Sequence, residues 1–412
     1  MSVLRSTRLG VLARRDVLRA GGLGLSLGVV GWGASEPLVA GARAATPERE
    51  RILVVVELSG ANDGLNTVVP YTDDAYYRAR PKLGIRPDKL LRLDDRFGLQ
   101  PTMTGFERLF RDGQLAIVHG VGYDHPSFSH FSSMAYWHTA SPNSGDSLGW
   151  LGRLADAMDP GNTSGFVANI QDHESLAVRA ENHVPLVFDD PDKFARVSTF
   201  NERDALAKLA SARTARNPAE SFLFDVAASA QRAEVHVREA CSSYQTPVYY
   251  GLYRFGLERV AALIAADFPT RIYYVSYPHN AFDTHVTQAD THARILKYTS
   301  DHIAAFLQDM GRIGRGDDVA VMVFSEFGRR VAENANLGTD HGTAGLAFIA
   351  GKKVKGGHYG AVPSLTDLDD GNMRHTTDFR RVYATTIRSW MNCSDASVVL
   401  KGEFAPFDIF HS

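Results

Sequence analysis

Short, uninterrupted apolar runs, each closed by a polar loop, constrain this 412-residue chain more than any other feature. Arg51-Ile52-Leu53-Val54-Val55-Val56-Glu57-Leu58 is rich in β-branched residues and opens into Ser59-Gly60-Ala61-Asn62-Asp63-Gly64. A strand apolar on both faces must be covered on both, which suits the interior of a parallel sheet. The runs at 115–120, 271–276, 319–324 and 346–351 repeat this grammar. Between them, spacing predicts helices over 106–111, 251–267 and 289–311, the last carrying Ile295, Tyr298, Ile303, Phe306 and Leu307 on one face. Strands alternating with helices predict an α/β fold with a doubly wound, mostly parallel sheet. Ligands of such sheets collect beyond the carboxyl ends of the strands, and each motif below is expected to follow a strand there.

Residues 143–246 are richer in Asp, Asn, Ala and Arg and poorer in strand runs, so they read as an inserted cap with charged helices over 202–213 and 218–241. The N-terminus reads as an export signal outside the fold. Arg14-Arg15-Asp16-Val17-Leu18 precedes a Gly-rich apolar run from Gly21 to Gly33, and Ala42-Arg43-Ala44-Ala45 supplies small residues for cleavage near Ala44 or Ala45. The arginine pair resembles a twin-arginine signal, which implies the twin-arginine export machinery as a partner and a periplasmic or secreted protein. An ordinary secretory signal or a retained anchor is the alternative.

A formal net charge of −3 gives no reason to expect nucleic acid or an anionic membrane as a partner. Beyond the leader no apolar run approaches membrane-spanning length, so no stable membrane insertion is expected after cleavage. Cys241 and Cys393 are the only cysteines. They could pair in an oxidising compartment, though nothing local supports it, and any metal must sit on histidine and carboxylate.

Candidate chemistry gathers in a few loops. Asp63 stands between glycines that let backbone approach an ion, although Asn-Asp-Gly is also a common turn. In Tyr123-Asp124-His125-Pro126-Ser127-Phe128-Ser129-His130-Phe131, a serine at a helix start can act as an N-cap or as a nucleophile; Ser129 is the first choice and Ser127 the second. His130 is grouped with it as catalytic. Asp283-Thr284-His285 could place two ligands on one ion. Glu326 follows an apolar strand as a ligand or general base, with Arg329 able to orient it or to hold a substrate anion. Asp340-His341-Gly342 offers a further carboxylate and imidazole. Such donors suit zinc, manganese, magnesium or calcium.

Leu58 to Asn66, Ser129-His130-Phe131, Phe282 to His285, Ser325 to Arg329 and Gly338 to Gly342, taken in order, resemble the family known as domain of unknown function 1501 from about Arg51 to the C-terminus. That family is similar to the alkaline phosphatase and sulfatase superfamily. The resemblance implies a three-layer α/β/α sandwich with an inserted cap, metal ligands at Asp63, Asp283, His285, Asp340 and His341, and a helix-start nucleophile at Ser129, with Pro126 three residues before it. Two departures stand out: Phe327 occupies a position where an imidazole ligand is usual, and Asp283 and His285 are spaced more tightly than the superfamily's pair. The expected function is an exported metal-dependent hydrolase of phosphate or sulfate esters, acting on a small-molecule or polymer substrate. The alternative is a non-catalytic binding or assembly protein that keeps a structural metal.

Overall fold

The first apolar run forms β1 (Ile52–Leu58), buried along its whole length. In this computed structural model, which describes residues 50–192, 234–251 and 255–411, Val54, Val56 and Leu58 enter one core while Leu53 and Val55 enter another. This is the period-two alternation of a strand covered on both faces, and burying each such side chain contributes about 1.5–3 kcal/mol. Arg14-Arg15, the run that follows them and the expected cleavage site lie outside the described residues.

The other strands of the main sheet are β2 (Leu115–Gly122), β3 (Val167–Ile170), β4 (Leu186–Val187), β5 (Ile272–Tyr277), β6 (Val319–Phe324), β7 (Gly345–Ala350), β8 (Gly357–Tyr359) and β9 (Thr377–Asp378). Their order is β8-β2-β7-β6-β1-β5-β3-β4, with β9 also beside β2. All pairings are parallel except those of β7 with β2 and β6. The exception has a local cause. Parallel return needs a crossover, usually helical, and residues 325–344 between β6 and β7 contain no helix, so the chain doubles back beside the strand it has just left.

The helices that pack on the two faces of the sheet include α1 (Thr104–Arg111), α2 (His130–Thr139), α3 (Trp150–Met158), α4 (Leu257–Ala265), α5 (Gln288–Arg312), α6 (Phe379–Ala384) and α7 (Ala396–Leu400). Phe106 of α1, Val260 of α4 and Ile303 and Phe306 of α5 fill the core on one face of the sheet. Trp137 of α2, Leu151 of α3, Tyr383 of α6 and Val399 of α7 fill the other. The fold is therefore a three-layer α/β/α sandwich with a mostly parallel sheet. Cys241 and Cys393 are both free, and they pack against opposite cores, which keeps them on opposite faces of the sheet.

The expected cap over 143–246 needs correcting for its first part. α3 packs into the second core, and β3 and β4 extend the sheet beyond β5. These strands have four and two residues, too short to register as apolar runs. Residues 234–243 are helical. The helix expected over 202–213 and most of that over 218–241 lie outside the described residues. Among the described residues no helix is long and apolar enough to cross a membrane.

Candidate metal centre

The loops after β1, β5 and β6 interlock at one edge of the sheet. Gly60 adopts φ 112°, and a Cβ there would lie 2.6 Å from the Asn280 carbonyl oxygen and from the Asp283 nitrogen, so only glycine lets the two loops approach. Gly60 N–H donates to Glu326 Oε1 at 2.9 Å and Asn62 N–H to Ser325 Oγ at 2.9 Å, joining the first loop to the third. Ala61, His279, Asn280, Thr287 and Leu337 also hold left-handed backbone. Each such residue costs on the order of 1 kcal/mol or more, which concentrates strain in these loops.

α2 is anchored over the same edge. Trp137 stacks on Phe324 at the end of β6, with ring centroids 5.1 Å apart, and Ser133 Oγ donates to the Glu326 carbonyl at 2.6 Å. These contacts set the first residue of α2, His130, against the Glu326 side chain, with Nδ1 2.7 Å from Oε1. The segment between β6 and β7 folds back on itself through the bridge of Arg329 with His341, and Gly342 N–H donates to the Gly328 carbonyl at 2.9 Å. Because β7 runs antiparallel, Asp340 and His341 reach the carboxyl edge by preceding a strand, not by following one as expected.

Three side chains converge there. Ligand atoms of His130, Asp283 and His341 all lie within 4.8 Å of one another. His130 Nε2 is 3.5 Å from Asp283 Oδ2, and His341 Nε2 is 3.3 Å from Asp283 Oδ1. His285 completes the group, its Nε2 3.0 Å from Asp283 Oδ1 and 2.9 Å from His341 Nε2. Donors around a tetrahedral ion with bonds of about 2.1 Å stand about 3.4 Å apart, close to these separations.

Tautomers follow from the outer partners. His341 Nδ1 lies 2.7 Å from the Phe128 carbonyl, which can only accept, so Nδ1 carries the proton and Nε2 presents a lone pair toward Asp283. His130 Nδ1 donates to Glu326 in the same manner, and its Nε2 is buried without a hydrogen-bond partner. Two oriented imidazoles aimed at a carboxylate, one with an orphaned nitrogen, fit a divalent cation. The 2.9 Å approach of His285 to His341 likewise requires a proton or a shared cation between two ring nitrogens.

Burial and the Arg329 charge hold the His341 imidazole below its ordinary value, against the pull of the Phe128 carbonyl. At His130 burial acts downward, but the hydrogen bond and charge of Glu326 outweigh it and the group is raised, so a metal and a proton would compete for Nε2. Burial would raise the Asp283 carboxyl, yet Arg329 and the neighbouring imidazoles hold it below its ordinary value.

The remaining expected residues are placed differently. Asp63 Oδ2 accepts from Arg80 Nη1 at 2.6 Å and from Gln288 Nε2 at 2.5 Å, which commits it to a buried ion pair rather than to the Asp283 group. Glu326 is buried and orients His130 instead of standing in the group as a ligand. Arg329 is buried; it donates to the carbonyls of Ala61, Thr339, Gly60 and Phe282 and to Asp283 Oδ1 at 2.8 Å. It therefore orients Asp283 and ties three loops together, and no hydrogen bond joins it to Glu326 among the described residues. Asp340 accepts from Asn334 at 2.9 Å and lies 3.4 Å from His285 Nδ1, behind that imidazole. Phe327 is the floor beneath His130 and His341, with ring centroids 5.0 and 4.9 Å away.

Ser129 is the N-cap of α2, its exposed Oγ accepting from Ser132 N–H at 3.4 Å. Ser127 Oγ accepts the Ser129 N–H at 3.2 Å and so holds the turn. Sequence reasoning missed Arg80, Gln288, Asn334 and the Phe128 carbonyl. Gln288 lies three residues beyond His285 at the start of α5, where a polar residue is unremarkable, and Arg80 precedes Pro81 in a charged stretch that reads as surface.

No curated protein matches the chain. Among solved structures it is similar to Ps i-CgsB in complex with k-i-k-neocarrahexaose, at 11% identity and TM-score 0.38, covering 87% of this chain and 75% of that one. It is also similar to the C-terminal periplasmic domain of EcEptC from Escherichia coli in complex with Zn, at 11% identity and TM-score 0.33, covering 74% of each chain. The phosphonate monoester hydrolase SpPMH from Silicibacter pomeroyi shows 11% identity and TM-score 0.33, covering 84% of this chain and 73% of that one. Nothing about activity follows from likeness this distant. The family comparison is of another kind, matching residues 50–389, and by it the chain belongs to the proteins of unknown function DUF1501.

Proposed function

We propose that the chain is an exported, metal-dependent hydrolase of phosphate or sulfate esters. The observation that carries this reading is the convergence of His130 Nε2 and His341 Nε2 on Asp283, each imidazole held by an acceptor on its other nitrogen. His130, Asp283 and His341, with His285 beside them, would hold one divalent ion, and an imidazole-rich set favours zinc over manganese, magnesium or calcium. Bound there, such an ion supplies Lewis acidity toward an ester oxygen and lowers the pKa of water. Export rests on the Arg14-Arg15 leader and on cleavage near Ala44 or Ala45, and it makes the twin-arginine machinery a partner.

The chain's own residues have distinct tasks in this proposal. Arg329 fixes Asp283, and Glu326 and the Phe128 carbonyl fix the two imidazoles. Ser129 Oγ is exposed at the start of α2 beside His130, where free backbone N–H groups favour a developing negative charge, and it is the nucleophile. Zinc- or manganese-loaded protein should turn over an aryl phosphate or aryl sulfate. Ser129→Ala should abolish that turnover with metal content unchanged and stability lowered only by the loss of one N-cap, about 0.5–2 kcal/mol.

One observation favours a second reading. The Arg329 guanidinium is engaged by carbonyls, Asp283 and the His285 ring, so it does not receive an anionic ester. Stoichiometric metal without turnover of either ester would support a binding or assembly protein.

A further inference from the structure

The turn that carries Ser129 lies at the surface, and one buried hydroxyl reaches it from inside the fold. Asp124, His125, Phe128 and Ser129 are exposed, and His125 holds left-handed backbone at φ 53°. Tyr123, the residue that follows β2, is 2% exposed. Its hydroxyl oxygen accepts from Ser127 N–H at 3.0 Å and lies 2.7 Å from Ser133 Oγ. Ser127 Oγ in turn accepts the Ser129 N–H at 3.2 Å, so the hydrogen bonds of the turn run back to the Tyr123 phenol.

The protons along this path have a fixed order. The Glu326 carbonyl can only accept, so Ser133 gives it the hydroxyl proton at 2.6 Å. Ser133 Oγ is then the acceptor of the 2.7 Å contact, and Tyr123 is its donor. Burial raises the Tyr123 phenol against the pull of Ser133 and Ser127, which keeps that proton in place. The path therefore runs from Ser127 N–H through Tyr123 and Ser133 to the backbone of Glu326, whose side chain orients His130. The Phe128 carbonyl ties the same turn to His341 at 2.7 Å. Links to both imidazoles fix where the turn stands relative to the ligand group, and a nucleophile misplaced by about 1 Å can cost on the order of 100-fold in rate.

We propose that Tyr123 is the positioning residue of this turn, its hydroxyl setting Ser129 in register with the His130, Asp283 and His341 group. This inference rests on the reading of Ser129 as the nucleophile of an ester hydrolase. Tyr123 touches no substrate. It acts through Ser127 on one side and through Ser133 and Glu326 on the other.

Two oxyanions of similar shape test this without turnover. Inorganic phosphate needs only the ion, whereas orthovanadate also adds Ser129 Oγ as a fifth ligand, the hydroxyl proton passing to a vanadate oxygen, and so reports where the nucleophile stands. Tyr123→Phe keeps the ring and its edge-on packing against Tyr136 and Phe379. Calorimetry on zinc-loaded protein should show vanadate bound at least about tenfold more weakly by Tyr123→Phe, the worth of one hydrogen bond, with phosphate affinity and zinc content unchanged. Ser133→Ala, which cuts the same path from Glu326, should shift vanadate in the same direction. With an aryl phosphate, kcat should fall in Tyr123→Phe and KM should hold, whereas a general loosening of the fold would weaken both oxyanions alike. Unchanged vanadate affinity in both variants, or an equal loss of vanadate and phosphate, would overturn the role of Tyr123 and leave the centre intact. If zinc-loaded native chain binds vanadate no more tightly than phosphate, Ser129 is not the nucleophile and the inference falls with it.

Discussion

Asp63 and Asp283 stand at the ends of adjacent parallel strands, β1 and β5, and their surroundings are opposite. Asp63 is wholly buried, one oxygen held by Arg80 and Gln288 and the other without a hydrogen bond. The Asp283 side chain is 32% exposed and faces three imidazoles in addition to Arg329. Each carboxylate is paired with a buried guanidinium, so losing Arg80 would leave an uncompensated buried charge at Asp63, whereas Asp283 also faces imidazoles whose lone pairs could share a cation with it. Position at a strand end is therefore not sufficient to make a ligand; the neighbouring side chains decide.

The largest effect should come from breaking the buried pair. Arg80→Met leaves the Asp63 carboxylate uncompensated and should cost about 3–5 kcal/mol in urea unfolding, with metal binding by the folded fraction preserved. A loss under 1 kcal/mol would show that Asp63 does not depend on Arg80. Next comes the orienting carboxylate: Glu326→Gln should weaken zinc binding by roughly 10–100-fold, measured by competition with a chelator, because His130 loses its anionic acceptor. An unchanged affinity would remove His130 from the ligand set.

Acid should separate the two regions further. Burial would raise the Asp63 carboxyl, but Arg80 outweighs it and the group sits below its ordinary 3.8. Glu57, buried with His138, Tyr274 and Ser276, is likewise held below its ordinary 4.5. Depressed folded values mean that this stability is complete above 3.8 and 4.5 and is lost as pH falls through the lower folded values. Asp63→Asn should be less stable than the native chain at neutral pH and lose less stability on acidification; equal slopes in urea titrations between neutral and acid pH would contradict this. The smallest effect is expected at Asp340, exposed and behind His285. Asp340→Asn should change zinc affinity by no more than about fivefold, the range of a surface pair.

Much of this was legible in the sequence. The buried strands show as apolar runs, and the loops that carry Asp283, His285 and His341 stand out in the sequence, although that the three side chains lie together is visible only in the fold. The limits have physical causes. β3 and β4 are too short to show a pattern, and the antiparallel return of β7 depends on what 325–344 lacks rather than on what it contains. The partners of Asp63, Glu326 and Asp340 do not show in the sequence because a carboxylate's partner is a matter of three-dimensional proximity: Arg80 is 17 residues from Asp63, and His130 is 196 from Glu326. Phe327, which in the sequence stands where an imidazole is expected, is the surface on which two imidazoles rest.

The most direct test of the central claim is elemental analysis of the mature protein after zinc supplementation, beside Asp283→Ala, His341→Ala and Asp340→Asn. Stoichiometric metal in the native chain and in Asp340→Asn, lost from folded Asp283→Ala and His341→Ala, is the predicted result. No metal in the native chain, or metal retained by both alanine variants, would contradict it.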